Sequence, residues 1–304
     1  MKILILGYSE LFRKRILKVL IKKKIKFCIA SKTFSKKESK AYGWFRDYDQ
    51  AIKKSGADIV YISLPNSLHY KWALKSLKKE CHVIVDKPIC KNFLEAKKLV
   101  NLAKKKRKLL AEATFYNYHS QFAKTLKHIK KLDYLQYLKT NFIIPMPQNS
   151  SFRMSKKMGG GCLMDMGPYA ASVSRLLGSG KLEYFKSNLK KNKNGLITSF
   201  DVYCKFKNYS YFGYFRFGGE YKNNMILFSK KSNIEINNVF SPPSNKKLNL
   251  LVKQNNLIKK IKIKKDDVFD NFFKDVLASL HRRNFNKFYQ IILQDSKFRD
   301  KLND

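Results

Sequence analysis

Lys2-Ile3-Leu4-Ile5-Leu6-Gly7-Tyr8-Ser9-Glu10-Leu11-Phe12 opens with an apolar run that stops at a glycine. The run reads as a buried first strand, and Gly7 as the tight turn that ends it. Beyond the turn, Leu11, Ile16, Leu17 and Leu20 fall on one side of a helix, with Arg13, Lys14 and Lys18 on the other. The order strand, turn, helix then recurs. Residues 25–30, 58–63, 83–85 and 109–114 read as four more buried strands, and 67–78 and 93–105 as amphipathic helices between them. Strands alternating with helices predict a parallel, doubly wound sheet. Ligands bind such sheets in the crevice at the carboxyl ends of the strands.

After about Tyr118 the pattern changes. A helix at 120–131 leads into strand-like runs at 134–144, 182–189, 197–206, 210–217 and 224–236. Phe200-Asp201-Val202-Tyr203-Cys204-Lys205-Phe206 alternates with period two, as in a sheet with one covered and one wetter face. Helical patterns at 267–280 and 285–302 close the chain. The expected organisation is a doubly wound parallel-sheet domain over 1–118 and, over 119–304, a domain of helices and a mainly antiparallel sheet.

Charge is the strongest compositional signal, with 64 Lys+Arg against 22 Asp+Glu, a net +42. Such a balance suits a nucleic-acid or membrane-surface partner when it is concentrated. Here it is spread over Lys22–Lys24, Lys104–Lys106, Lys259–Lys265 and every segment between, which favours a solvated basic surface with no specific nucleic-acid partner. A positive field of this kind also speeds capture of anionic substrates. No run approaches the ~18 apolar residues of a membrane helix, and the N-terminus lacks the pattern of a signal peptide. Cys28, Cys81, Cys90, Cys162 and Cys204 are scattered without metal-ligand spacing, which fits a reduced, cytoplasmic protein with no metal.

The candidate chemistry lies at the strand ends. Gly7, Ser9, Glu10 and Leu11 occupy the dinucleotide loop, although Ser9 and Phe12 stand where the fingerprint has its second and third glycines. Ser31 and Lys32 follow the second strand, with Lys36 and Lys37 beyond, and no acid appears before Glu38. A hydroxyl and ammonium groups suit a 2′-phosphate, so NADP(H) is favoured over NAD(H). Leu64, Pro65, Asn66 and His69 follow the third strand; a lone histidine of this kind is more often structural. Asp86-Lys87-Pro88 ends the fourth strand and puts an ion pair at the crevice, with Pro88 stiffening the turn. Met158-Gly159-Gly160-Gly161 precedes a helix on which Asp165 and Tyr169, four apart, share a face.

In this order the motifs closely resemble the Gfo/Idh/MocA oxidoreductases. The resemblance rests on Ala57-Asp58-Ile59-Val60-Tyr61-Ile62 with Pro65, Asn66 and His69, on His82 to Pro88, on Glu112-Ala113 with Tyr116, His119 and Gln121, on Phe152-Arg153, and on Gly159 to Tyr169. It implies that 1–118 is a Rossmann dinucleotide-binding domain and 119–304 an α+β domain with a large, mainly antiparallel open sheet. It also implies a sugar-like ketone or alcohol as substrate and assembly into a homo-oligomer through the C-terminal sheet. It implies that Lys87 contacts nicotinamide ribose and substrate, and that Asp165 and Tyr169 complete the site. Val239-Phe240-Ser241-Pro242-Pro243 looks like the corresponding run of ketoreductases acting on nucleotide-linked deoxysugars. Asp86 replaces the usual glutamate, and Asn117 stands where arginine is common.

The expected reaction moves a hydride between nicotinamide and a sugar carbonyl or carbinol. Tyr169 is expected to pass the proton with Lys87 as charged neighbour, or Lys87 to pass it itself, since a free phenol titrates near 10. Asp165 is expected to orient substrate hydroxyls. Tyr116 and Arg153 are candidate substrate contacts, Arg153 equally a structural ion pair. The leading reading is an NADPH-dependent keto-sugar reductase. The alternatives are an NAD-dependent sugar or polyol dehydrogenase, and a non-catalytic basic scaffold or nucleic-acid binder.

Overall fold

A computed structural model describes residues 1–32, 40–129, 135–177, 181–255 and 257–303. The first sheet contains β1 (Lys2–Leu6), β2 (Lys26–Ala30), β3 (Gly43–Phe45), β4 (Ile59–Ile62), β5 (His82–Asp86) and β6 (Leu110–Ala113). Every pairing is parallel, in the order β3-β2-β1-β4-β5-β6. That is the strand order of a dinucleotide-binding Rossmann sheet, whose direction of winding reverses between β1 and β4. Its inner strands read as continuous apolar runs because both faces are covered; Ile3 to Leu6 and Ile59 to Ile62 have no exposed surface.

Sequence periodicity gives five of these strands and omits β3. Three half-buried edge residues are too few to show a period. Around the sheet run α1 (Leu17–Lys22), α2 (Tyr48–Lys54), α3 (Asn66–Lys78) and α4 (Phe93–Lys105). Asp47 and Asn92 cap α2 and α4 by accepting from the backbone N–H of Gln50 and Glu95.

The chain forms two compact units, Met1–Thr114 with Phe272–Ser296, and Phe115–Asn271 with the residues from Lys297 on. A linear division near residue 118 counts the whole C-terminus with the second unit, whereas 272–296 pack with the first. Phe273 is fully buried and stacks on Tyr61 at 6.2 Å, and the Tyr289 hydroxyl donates to the Lys108 carbonyl at 2.5 Å. These contacts join positions far apart in the sequence, so no local pattern announces them.

The second unit is built on eight strands: β7 (Leu135–Ile144), β8 (Leu182–Lys191), β9 (Ile197–Phe206), β10 (Ser210–Phe217), β11 (Lys222–Ser229), β12 (Asn233–Asn237), β13 (Leu248–Gln254) and β14 (Leu257–Ile263). Their order is β14-β13-β12-β11-β7-β10-β9-β8, antiparallel except for β7 beside β10. The run 224–236 is not one strand. It folds back at Ser229 and Ser232, whose hydroxyl and backbone groups bond across the turn at 2.7 and 2.9 Å. The last hairpin, β13–β14, carries lysines at 259, 260 and 262 and is largely exposed, which hides it from an apolar pattern. Helix α6 (Cys162–Leu177) packs on β9 and β10, over a core in which Phe200 and Phe215 stack at 4.7 Å. Helix α5 (Ser120–Ile129) precedes the sheet, and α7 (Val268–Arg282) and α8 (Asn286–Lys301) end the chain. Among the described residues no helix is long and apolar enough to cross a membrane.

Candidate active site

The loops after β1 and β4 meet at the switch point. Gly7 has φ of +97°, and a Cβ there would lie 2.2 Å from the Ser63 carbonyl oxygen. Only glycine lets the two loops approach this closely. The Ser9 hydroxyl accepts from the Phe12 backbone N–H at 3.1 Å, so Ser9 caps the helix that follows. That helix starts as an α-helix at Glu10 and Leu11 and then widens. Residues Phe12–Ile16 wind as a π-helix, with Phe12 fully buried and edge-on to Phe27 at 6.3 Å. The wider turn thus coincides with the phenyl ring that stands where the fingerprint has its third glycine. The result is a cradle with no room for a side chain at Gly7, which fits the close approach of a dinucleotide pyrophosphate.

A directional chain of hydroxyls runs beneath this cradle. Ser9 Oγ lies 2.6 Å from Ser63 Oγ, which donates to Asp86 Oδ2 at 2.6 Å, while the Tyr61 hydroxyl donates to Asp86 Oδ1. Ser63 gives its proton to the carboxylate, so it can only accept from Ser9. Asp86 keeps some exposed surface as a residue, but its carboxyl group is enclosed. Burial raises its pKa, opposed by the Ser63 and Tyr61 hydrogen bonds and by the charges of His69 and Lys87. Burial, together with the neighbouring Asp86, pushes the Tyr61 phenol well above its ordinary value.

Lys87 is half-buried at the end of β5, and the Lys87–Pro88 peptide is cis. The turn is braced from β6. Glu112 is buried, accepts from the Ile89 backbone N–H at 2.7 Å and accepts from the Thr114 hydroxyl at 3.0 Å. His69 is fully buried, with Nδ1 2.7 Å from the Pro88 carbonyl and Nε2 2.7 Å from the Leu64 carbonyl. A neutral ring donates to one of these and an imidazolium to both. Either way His69 staples the turn after β4 to the turn after β5, and its ring nitrogens face backbone rather than the crevice. Asn66 is buried at the start of α3, and Leu64 and Pro65 are half-buried beside it. Glu10 is mostly exposed and pairs with Lys14, while Leu11 is half-buried.

Ser31 is buried and its backbone N–H donates to the Phe45 carbonyl at 3.0 Å. Lys32 is exposed, with its ammonium 5.6 Å from the Tyr48 ring centre. Lys36, Lys37 and Glu38 lie outside the described residues. Because Phe45 pairs with Ala30, β3 brings Arg46 to the same carboxyl edge as Ser31 and Lys32. Sequence reading misses Arg46 because it misses β3.

The second unit gathers the remaining candidates around the start of α6. Arg153 Nε donates to Asp165 Oδ2 at 2.9 Å, so of its two expected roles the ion pair is present. Asp165 is buried and Arg153 about 40% exposed, with its guanidinium 5.1 Å from the Phe152 ring. The glycine run makes this pairing possible. A Cβ on Gly160 would lie 2.4 Å from the Arg153 carbonyl oxygen, so only glycine lets the loop press that segment against α6. Tyr169 is half-buried in an aromatic cage formed by Phe240 at 5.0 Å, Phe142 at 5.4 Å and Tyr116 at 5.7 Å. Tyr116 is buried and its hydroxyl bonds Ser172 at 2.7 Å, so its ring backs Tyr169 while its hydroxyl is engaged in the core. The 239–243 run forms the cage wall, with the Phe240 N–H donating to Asn223 Oδ1 at 2.9 Å. Two buried atoms nearby in sequence, Asn117 Oδ1 and His119 Nε2, have no hydrogen-bond partner. Among the described residues no group of three or more His, Cys, Asp or Glu could hold a metal.

Residues 1–114 match the family described as an oxidoreductase family with an NAD-binding Rossmann fold, Gfo/Idh/MocA. The match spans the part of the chain that holds the parallel sheet. A dTDP-3,4-didehydro-2,6-dideoxy-alpha-D-glucose 3-reductase of Saccharopolyspora spinosa is 24% identical over 225 residues, covering 72% of this chain and 68% of that one. Alignments with the reductases of the same name from Streptomyces violaceoruber and Actinomadura kijaniata cover 39% and 60% of those proteins. Among solved structures, a 3-ketoreductase from Actinomadura kijaniata in complex with NADP and TDP-benzene has the same fold, with a TM-score of 0.94 at 19% identity over 100% of this chain and 97% of that one. An aldose-aldose oxidoreductase from Caulobacter crescentus matches with a TM-score of 0.86 at 15% identity over 100% and 96%. The chain therefore has the fold of those solved structures, a Rossmann unit followed by a large sheet.

Proposed function

We propose that the protein is an NADPH-dependent reductase of a keto-sugar carried on a nucleotide. The observation that carries this reading is the packing of Tyr169, four residues after Asp165, against Phe240 of the run 239–243. The Saccharopolyspora spinosa reductase, similar over most of this chain, supports the same substrate class. Ser31, Lys32 and Arg46 at one edge of the sheet support a 2′-phosphate and hence NADP(H) over NAD(H).

In this reading Gly7, Ser9, Glu10, Leu11 and the turn Leu64 to Asn66 hold the dinucleotide, and His69 and Asp86 hold those turns in place. When bound, the nicotinamide supplies the hydride. Lys87 presents a positive charge toward the ribose and the oxygen that gains negative charge in reduction. Tyr169 donates the proton to that oxygen. A phenol, titrating near 10 when unperturbed, is already in its donor form at neutral pH, so the reducing direction needs no prior ionisation. Asp165, its orientation fixed by Arg153, accepts from sugar hydroxyls.

Five buried free cysteines support residence in a reducing compartment such as the cytoplasm. Half-exposed aromatic residues on the sheet face away from α6, including Tyr203 beside Tyr184 at 6.0 Å, support a homo-oligomer through that face. Light scattering of the purified chain tests this, and a monomer at all concentrations refutes it. The function is tested by following NADPH and NADH oxidation with nucleotide-linked keto-sugars, against NAD(P)+ reduction with free sugars and polyols. Turnover confined to NADH, or to free polyols, refutes the proposal.

A further inference from the structure

A second hollow lies at the amino ends of β5 and β6, away from the strand ends that form the crevice. It encloses about 890 Å³ and is walled by the end of α4, the end of α7 and the start of α8. That volume lies within the ~300–1,000 Å³ of small-molecule sites. Four cations line it, namely Lys104, Arg107, Lys108 and Arg283, and no acidic residue is among its lining. The nearby carboxylate of Glu80 is already paired with Lys106 at 2.8 Å.

The ends of α4 and α7 converge here, and one cation at each would answer the helix dipoles. Four cations around one cavity exceed that need. Their chemistry is also selective. Only ten of the 64 basic residues in the chain are arginine, and two of those ten line this cavity. A guanidinium binds phosphate through two parallel N–H donors, which an ammonium cannot do.

The remaining lining supplies fixed donors. The Leu109 backbone N–H donates to His82 Nδ1 at 2.9 Å. This makes Nδ1 the acceptor, so the proton of the neutral ring sits on Nε2. The ring is held edge-on by Phe285 at 5.6 Å. Burial and the charge of Lys108 lower His82 to a pKa of about 4, which keeps it a neutral donor at physiological pH. Tyr289, its hydroxyl bound to the Lys108 carbonyl at 2.5 Å, carries Lys104 over its ring at 5.9 Å and fixes the floor.

We propose that this hollow is a second binding site, for a small phosphate-rich anion of mononucleotide size, separate from the dinucleotide crevice. Arg107 and Arg283 grip the phosphates, Lys104 and Lys108 supply charge, and Asn284 and Asn286 at the mouth offer amide contacts.

The test is calorimetric titration of the full chain with tripolyphosphate and, separately, with ATP. The titrations are run at about 0.15 M salt, where diffuse attraction is screened, with NADPH present to fill the crevice. One site is expected. Arg107→Ala with Arg283→Ala should weaken it at least about tenfold. Lys259→Ala with Lys260→Ala removes equal charge from the exposed β14 and should leave it unchanged. Tighter binding of ATP assigns a nucleotide and equal binding assigns phosphate alone; both support the site. The proposal is overturned if neither probe binds at millimolar concentration, or if both double variants weaken binding equally. It is also overturned if affinity for single-stranded oligonucleotides climbs with length beyond that for ATP, which would mark a nucleic-acid path.

Discussion

The two units build their candidate chemistry by opposite means. In the Rossmann unit, Lys87 is presented by polar bonds: the Ser9–Ser63–Asp86–Tyr61 chain, the Glu112 brace and the His69 staple. In the sheet unit, Tyr169 is presented by rings, those of Phe240, Phe142 and Tyr116. Buried hydrogen bonds are directional, and losing one partner strands another. Ring packing is less directional and yields gradually to substitution. The first site should therefore be brittle and the second forgiving.

Breaking the chemistry itself should have the largest effect. Lys87→Met is expected to lower kcat/KM about a thousandfold or more, with the fold intact by circular dichroism. Near-normal turnover would remove Lys87 from the mechanism. Tyr169→Phe keeps the ring in its cage and deletes only the hydroxyl. It should lower kcat about a hundredfold with little change in KM; a change in KM alone would make Tyr169 a binding residue.

Stability measurements sharpen the contrast. Ser63→Ala strands the Ser9 hydroxyl and takes a donor from Asp86, and should cost about 1–3 kcal/mol in urea unfolding. The cost should grow with pH. Asp86 has a raised pKa, so its acid form is favoured in the folded chain, and stability is lost as pH rises through that pKa and the carboxylate forms. Without Ser63 the carboxylate is held less well, so the added loss is smallest in acid. Phe240→Leu, a conservative change in the cage, should cost no more than about 1.5 kcal/mol, with no pH trend. Equal and pH-independent losses would erase the distinction.

An effect of similar size concerns His82, which is lowered from 6.5 to about 4. The folded chain binds the proton less tightly than the unfolded chain, so this contribution is complete above 6.5 and lost as pH falls toward 4. Discounted for partial exposure, it amounts to about 1–2 kcal/mol. His82→Gln should flatten that part of the stability profile, and an unchanged slope would show that His82 titrates normally.

The parallel sheet was legible because buried strands such as Ile3 to Leu6 are uninterrupted apolar runs before turn residues. The short β3 and the lysine-rich β13–β14 hairpin were not, because one is too short for a period and the other is mostly wet. Lys87, Asp165 and Tyr169 stood out through their positions beside a strand end and a glycine loop. Their supports did not. The Arg153–Asp165 pair, the Glu112 brace and the edge position of Arg46 depend on which segments meet in space, and no local spacing encodes that.

The bond between Ser9 and Ser63 ties together two positions 54 residues apart. A comparison that scores each position alone counts Ser9 as a defect in a glycine motif. Together with Ser63 it is half of a hydrogen-bonded pair. Ser9→Gly, the obvious repair toward the common motif, would unhook the loop from Asp86, so consensus engineering of this enzyme should change both positions or neither.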